Sequence, residues 1–175
     1  MVSWKNSKGV LGAVVLCGVV LFAHPAQDRV NELEEQISLQ YTYANPLLRD
    51  TVKALLEYDF SEPLTDENEE DFNRLAKEFR DVTDLLFSGG TVHYEWQDRL
   101  DDTKFYLMDY ASGSPLSEEE VADLYQVLKA TRYICMDFRD YDNRSDFYDA
   151  MHSKNHEMVE QVKKRLAWKY KNQGE

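Results

Sequence analysis

The sequence predicts an all-α protein, and three observations carry that expectation. Apolar side chains recur at intervals of three and four residues in one segment after another. No segment alternates with period two for long enough to demand a strand. Gly and Pro number only 7 and 4 in 175 residues, too few for a turn-dense β fold. The expected architecture is an N-terminal membrane-anchor (or signal) helix followed by an antiparallel helical bundle. Within the bundle a helical hairpin is duplicated at a period of 52 residues.

Residues 1–26 are the first region. They contain no acidic side chain, and Lys5 and Lys8 are their only charges. The apolar run Gly9–Ala23 follows a short basic segment that includes Trp4, and it ends at His24-Pro25. A helix of that length rises about 22 Å against a hydrocarbon core of about 30 Å. Spanning therefore relies on snorkelling lysines and Trp4 to make up the length. The same length fits the apolar region of a signal peptide. Cleavage after Ala23 leaves Leu21 at the −3 position and cleavage after Ala26 leaves His24 there, which favours an uncleaved anchor. Lysines precede the run, and Asp28, Glu32, Glu34 and Glu35 follow it. The positive-inside rule then puts the remainder outside the cytoplasm, anchored or, alternatively, secreted after cleavage.

The rest reads as helices. Residues 27–44 form a linking helix with Val30, Leu33, Ile37 and Tyr41 in phase, and residues 45–175 form an acidic bundle. Asn45-Pro46 reads as an N-cap with proline at the first helical position, opening a helix through Leu48, Val52 and Leu55 to about Tyr58. Thr65 opens the next, with the stripe Phe72, Leu75, Phe79, Val82, Leu86 and a stop at Gly89-Gly90. A helix over about Thr91–Tyr110 carries Trp96, Leu100 and Leu107. Ser117 with Glu120 makes a capping box for a helix through Val121, Leu124, Leu128, Thr131, Cys135 and Phe138. A final helix over 145–171 carries Phe147, Met151, Met158, Val162 and Leu166.

Shifting the chain by 52 residues lays Leu48–Val82 on Leu100–Ile134 without a gap, with 11 of 35 positions identical. Chance gives about two or three at ordinary composition. The matches include Leu48/Leu100, Thr51/Thr103, Leu55/Leu107, Tyr58/Tyr110, Pro63/Pro115, Leu64/Leu116 and Arg80/Arg132, with Thr65/Ser117 conservative. Repeat 1 covers about 46–88 and repeat 2 about 92–141. One hairpin cannot bury its apolar face alone, so two stack into a four-helix core.

Charge narrows the function. The 33 acids and 20 bases give a net of −13, but residues 27–162 alone stand at −19. That balance excludes nucleic acid as a partner, because phosphate backbones need a positive footprint. There is no glycine-rich phosphate loop and no Gly-x-Ser-x-Gly elbow, so neither enzyme chemistry nor a cofactor is expected. The metal candidates are His152 and His156, four residues apart on one helical face, with Asp149 three residues before His152. The tyrosines among carboxylates, Tyr110 and Tyr125 in particular, suit an organic cation or a Lys/Arg-rich peptide. The basic C-terminus (Lys163-Lys164-Arg165 to Lys171) offers Trp168 and Tyr170 for contact with a membrane surface or an acidic partner. The expected function is a non-enzymatic, membrane-anchored extracytoplasmic bundle that binds another membrane or envelope protein or peptide. The alternative is an exported binding protein for a metal or organic cation, through His152/His156 or the tyrosine-rich acidic surface.

Overall fold

A computed structural model describes residues 7–139, 141 and 144–169, with side chains described over 28–139, 141 and 145–169. Among these residues the structure is all-α. Its helices are α1 (Ser7–Leu55), α2 (Glu69–Phe87), α3 (Tyr94–Ala111), α4 (Glu118–Phe138), α5 (Arg144–His152) and α6 (Glu157–Ala167). The chain divides into two compact units, Met1–Gln36 and Ile37–Glu175. In the first, Val30 and Leu33 are exposed, and the side chains of the run Gly9–Ala23 lie outside the described residues. Among the described residues no helix is long and apolar enough to cross a membrane.

In the second unit, α1 contributes a continuous buried stripe of Tyr41, Ala44, Leu48, Val52 and Leu55. This corrects the expected break at Asn45-Pro46: α1 runs straight through both residues. Proline inside a helix costs about 3 kcal/mol and strips the carbonyl four residues back of its N–H. Here Pro46 and Thr42 lie on the exposed side of the helix, and burial of the stripe on both sides of the proline offsets the cost. Asn45 is buried rather than capping, and its Nδ2 donates to the Cys135 carbonyl of α4 at 3.0 Å.

Helix α2 begins at Glu69, four residues later than Thr65 suggested. Thr65 instead starts a turn in which its N–H donates to Asn68 Oδ1 at 2.8 Å. The helix proper opens on Glu69, Glu70 and Asp71, whose charges suit the positive end of the helix dipole. It buries Phe72, Leu75, Phe79, Val82 and Leu86 and ends before Gly89-Gly90. Gly90 is left-handed at φ 85°. Gly89 is required by close approach, since a Cβ there would stand 2.7 Å from Ile37 Cγ2.

Helix α3 buries Trp96, Leu100, Thr103, Leu107 and Tyr110. Helix α4 starts at the expected capping box: Ser117 N–H donates to Glu120 Oε2 at 2.7 Å, and Glu120 N–H returns to Ser117 Oγ at 3.3 Å. Trp96 anchors the centre, with its Nε1 donating to Thr131 Oγ1 at 3.1 Å and Phe87 and Phe138 packed on its ring.

Four pairs of positions 52 residues apart share their burial, whereas Phe60 is buried and Ser112 exposed. Leu48 and Leu100, Leu55 and Leu107, Phe72 and Leu124, and Val82 and Ile134 are all core residues. Thr51 and Thr103 each donate a hydroxyl to the carbonyl four residues back at 2.8 Å.

The final helix expected over 145–171 is two helices, α5 and α6. The stripe Met151 to Met158 keeps a helical interval, but Ser153-Lys154-Asn155 between them folds as a turn, with Ser153 N–H bonded to the Asp149 carbonyl at 2.8 Å. His156 then caps α6, its Nδ1 accepting from Met158 N–H at 3.2 Å. Helix α6 docks on α4 through Arg165, which grips Asp137 with two bonds of 2.7 and 2.8 Å while lying over the Tyr133 ring.

Candidate functional site

The two histidines of the expected metal pair do not lie on one helix. His152 closes α5 and His156 caps α6, so they do not share a helical face. His152 is wedged at a junction of three segments. Its Nδ1 lies 3.0 Å from the Tyr148 carbonyl, and its Nε2 lies 3.1 Å from the Gly89 carbonyl and 3.2 Å from the Tyr41 hydroxyl. Both ring nitrogens are thus occupied by the protein itself. His156 spends Nδ1 on its cap and packs edge-on against Tyr141. Asp149 is exposed. Among the described residues no group of three or more His, Cys, Asp or Glu side chains is placed to hold a metal ion.

The tyrosines expected at a binding surface are structural as well. Tyr110 is buried, and its hydroxyl donates to the carbonyls of Asp59 at 3.1 Å and Glu62 at 2.6 Å. Burial is the main reason its hydroxyl is held above its ordinary pKa. Tyr125 is half-buried and donates to the Tyr58 carbonyl at 2.6 Å. Both rings meet Phe60 edge-to-face, at centroid distances of 5.2 Å. They clamp the α1–α2 loop rather than presenting a cage. Trp168 is 65 % exposed, and Tyr170 lies outside the described residues. Of the basic C-terminal cations, Arg165 is committed to Asp137 and Lys163 to Glu160.

A different surface stands out on α3. With Trp96, Leu100, Thr103, Leu107 and Tyr110 turned inward, positions 94, 98, 101, 105 and 108 fall on the opposite face at intervals of 4-3-4-3. That face carries Tyr94, Phe105 and Met108, which are 61, 64 and 55 % exposed. Asp98 and Asp101 lie between them, and Asp102 and Asp109 flank the row. Among the described residues Asp98, Asp102 and Asp109 make no ion pair. Asp101 holds Lys104 at 2.7 Å, and Lys104 also reaches Asp84 on α2 at 2.6 Å. Burial works against the Lys104 charge, but the hydrogen bonds it donates to Asp101 and Asp84 carry its pKa above the ordinary value. A recess of about 180 Å³ opens beside this pair, between α2 and α3. Sequence reasoning missed the face, although its signal was present: Phe105 and Met108 are out of phase with Leu100 and Leu107.

Compared with known protein families, curated protein sequences and solved structures, the chain has no match.

Proposed function

We propose that this protein is a non-enzymatic binding module, held at a membrane by its N-terminal apolar run with the bundle outside the cytoplasm. Its ligand is a Lys/Arg-rich amphipathic segment of another membrane or envelope protein, taken on the outer face of α3. The observation that carries the reading is the row Tyr94, Phe105 and Met108, exposed in line and bordered by Asp98, Asp102 and Asp109. Three large apolar side chains on one solvent face are a surface that gains by being covered, at about 1.5–3 kcal/mol for each fully buried side chain. Unpaired carboxylates around them select a cationic partner and reject an acidic one.

The anchor rests on the basic start, the apolar run Gly9–Ala23 and the acidic residues beyond it. We read the bundle as a duplicated hairpin. Matching burial at several positions 52 residues apart supports this, as does one shared detail just ahead of the second helix of each repeat. Thr65 N–H bonds the side chain three residues on, Asn68, as Ser117 N–H bonds Glu120.

The test is photo-crosslinking in the native membrane, with a photo-reactive phenylalanine analogue at Phe105 and, as control, at the exposed Arg80 on α2. The expected result is one dominant adduct from position 105, mapping to a Lys/Arg-rich segment of the partner. Equal adducts from both positions, or a chain that fractionates with soluble cytoplasmic proteins, would overturn the reading.

A further inference from the structure

Between α1 and α4 runs a shallow groove of about 260 Å³, lined by Arg49, Asp50 and Lys53 on one side and Arg132, Met136 and Arg139 on the other. Four cations and one carboxylate put the lining at +3, inside a chain whose formal charge is −13. The two helices are fixed beside it by the Asn45–Cys135 bond and by burial of Leu48, Val52 and Ile134. All of the lining except Arg139, the C-cap of α4, therefore stands on helical backbone.

Many cations elsewhere in the bundle find a carboxylate, as Lys77 does with Asp81, Arg99 with Asp123, Lys104 with Asp84 and Arg165 with Asp137, while Lys129 lies over the Tyr125 ring. Lys53, Arg132 and Arg139 have no such partner among the described residues. Arg49 holds only its own neighbour Asp50, at 2.8 Å. In a chain with 33 acids, leaving these cations to face one another maintains a repulsion that a bound anion would relieve.

We propose that this groove binds a phosphate group. Three of the four cations are guanidinium groups, whose planar forks match phosphate oxygens two at a time, and Lys53 adds a point charge. A group near −2 suits a +3 lining that already contains one carboxylate. The ligand is compact, because the negative field of the surrounding bundle repels an extended polyanion such as nucleic acid. The phosphate belongs to a small soluble phosphoester or pyrophosphate, or to a lipid headgroup, and the two are separable by experiment.

The probes are inorganic pyrophosphate, titrated calorimetrically into the full chain, and phosphatidylcholine vesicles with and without phosphatidic acid, in a flotation assay. Saturable pyrophosphate binding supports a soluble source. Flotation only with phosphatidic acid supports a headgroup. In either case Arg132→Gln with Arg139→Gln should weaken binding by about tenfold or more. Both side chains are exposed, so the fold is retained, and Lys163→Gln, outside the groove, should change nothing. Three results would overturn the proposal: no binding to either probe, binding that survives in the double variant, or citrate binding as tightly as pyrophosphate.

Discussion

The loop joining α1 to α2 (residues 56–68) folds around a buried phenylalanine, whereas the loop joining α3 to α4 (residues 112–117) buries nothing of that size. In the first, Phe60 sits edge-on to Phe72, Tyr110 and Tyr125, and the two tyrosine hydroxyls take three backbone carbonyls of the same loop. In the second, Gly113 turns the chain at φ 79°, and Ser117 with Glu120 closes it as a capping box. The loops occupy matching places in the proposed duplication, yet one is held by tertiary contacts and the other by its own residues. In this reading the helical cores of the hairpins kept their match. The loops diverged, and the second hairpin's tyrosines came to hold the first hairpin's loop.

Substitutions break this contrast in order of size. Phe60→Ala empties the aromatic nest and should lower the unfolding free energy by about 3–5 kcal/mol, read as a shifted denaturant midpoint. Amide exchange should accelerate through residues 58–62 in the same variant, while 112–117 stays unchanged. Tyr110→Phe keeps the ring but deprives the Asp59 and Glu62 carbonyls of their donor, at about 1–2 kcal/mol by the same measurement. Ser117→Ala removes only a local cap and should cost about 1 kcal/mol.

The smallest effect is a pH dependence confined to the second loop's cap. Hydrogen bonds from the Ser117 N–H and hydroxyl hold the Glu120 carboxyl below its ordinary value of 4.5. The folded value lies below the unfolded one, so the stabilisation is complete above about pH 4.5 and is lost as pH falls through the folded value. The midpoint difference between the natural chain and Glu120→Gln should therefore narrow on acidification below that point. A difference constant with pH would mean that the carboxylate is not what holds the cap.

The same division decides what could be read in the sequence. Helix α4 was legible end to end, because its cap and stripe are local and agree. The break between α5 and α6 was not, since Met151 and Met158 keep a helical interval while Ser153-Lys154-Asn155 turns between them. Pro46 misled in the opposite direction: a strong local stop was overridden by burial on both sides of it. Tyr110 could not be placed from its neighbours, because its acceptors lie 48 and 51 residues away. On α3 the buried stripe was legible but the outer row was missed, although a helix that turns Leu100 and Leu107 inward must turn Phe105 and Met108 outward.

That outer row bears the functional claim, and one titration tests it most directly. A synthetic Lys/Arg-rich amphipathic helix, and the same peptide with its cations changed to Glu, are titrated into the full chain and into Phe105→Ser/Met108→Ser. The account predicts that only the cationic peptide binds the natural chain, and that the double variant, with an intact helical spectrum, binds it at least about tenfold more weakly. Equal binding to the natural chain and the variant, or equal binding of the two peptides, would contradict it.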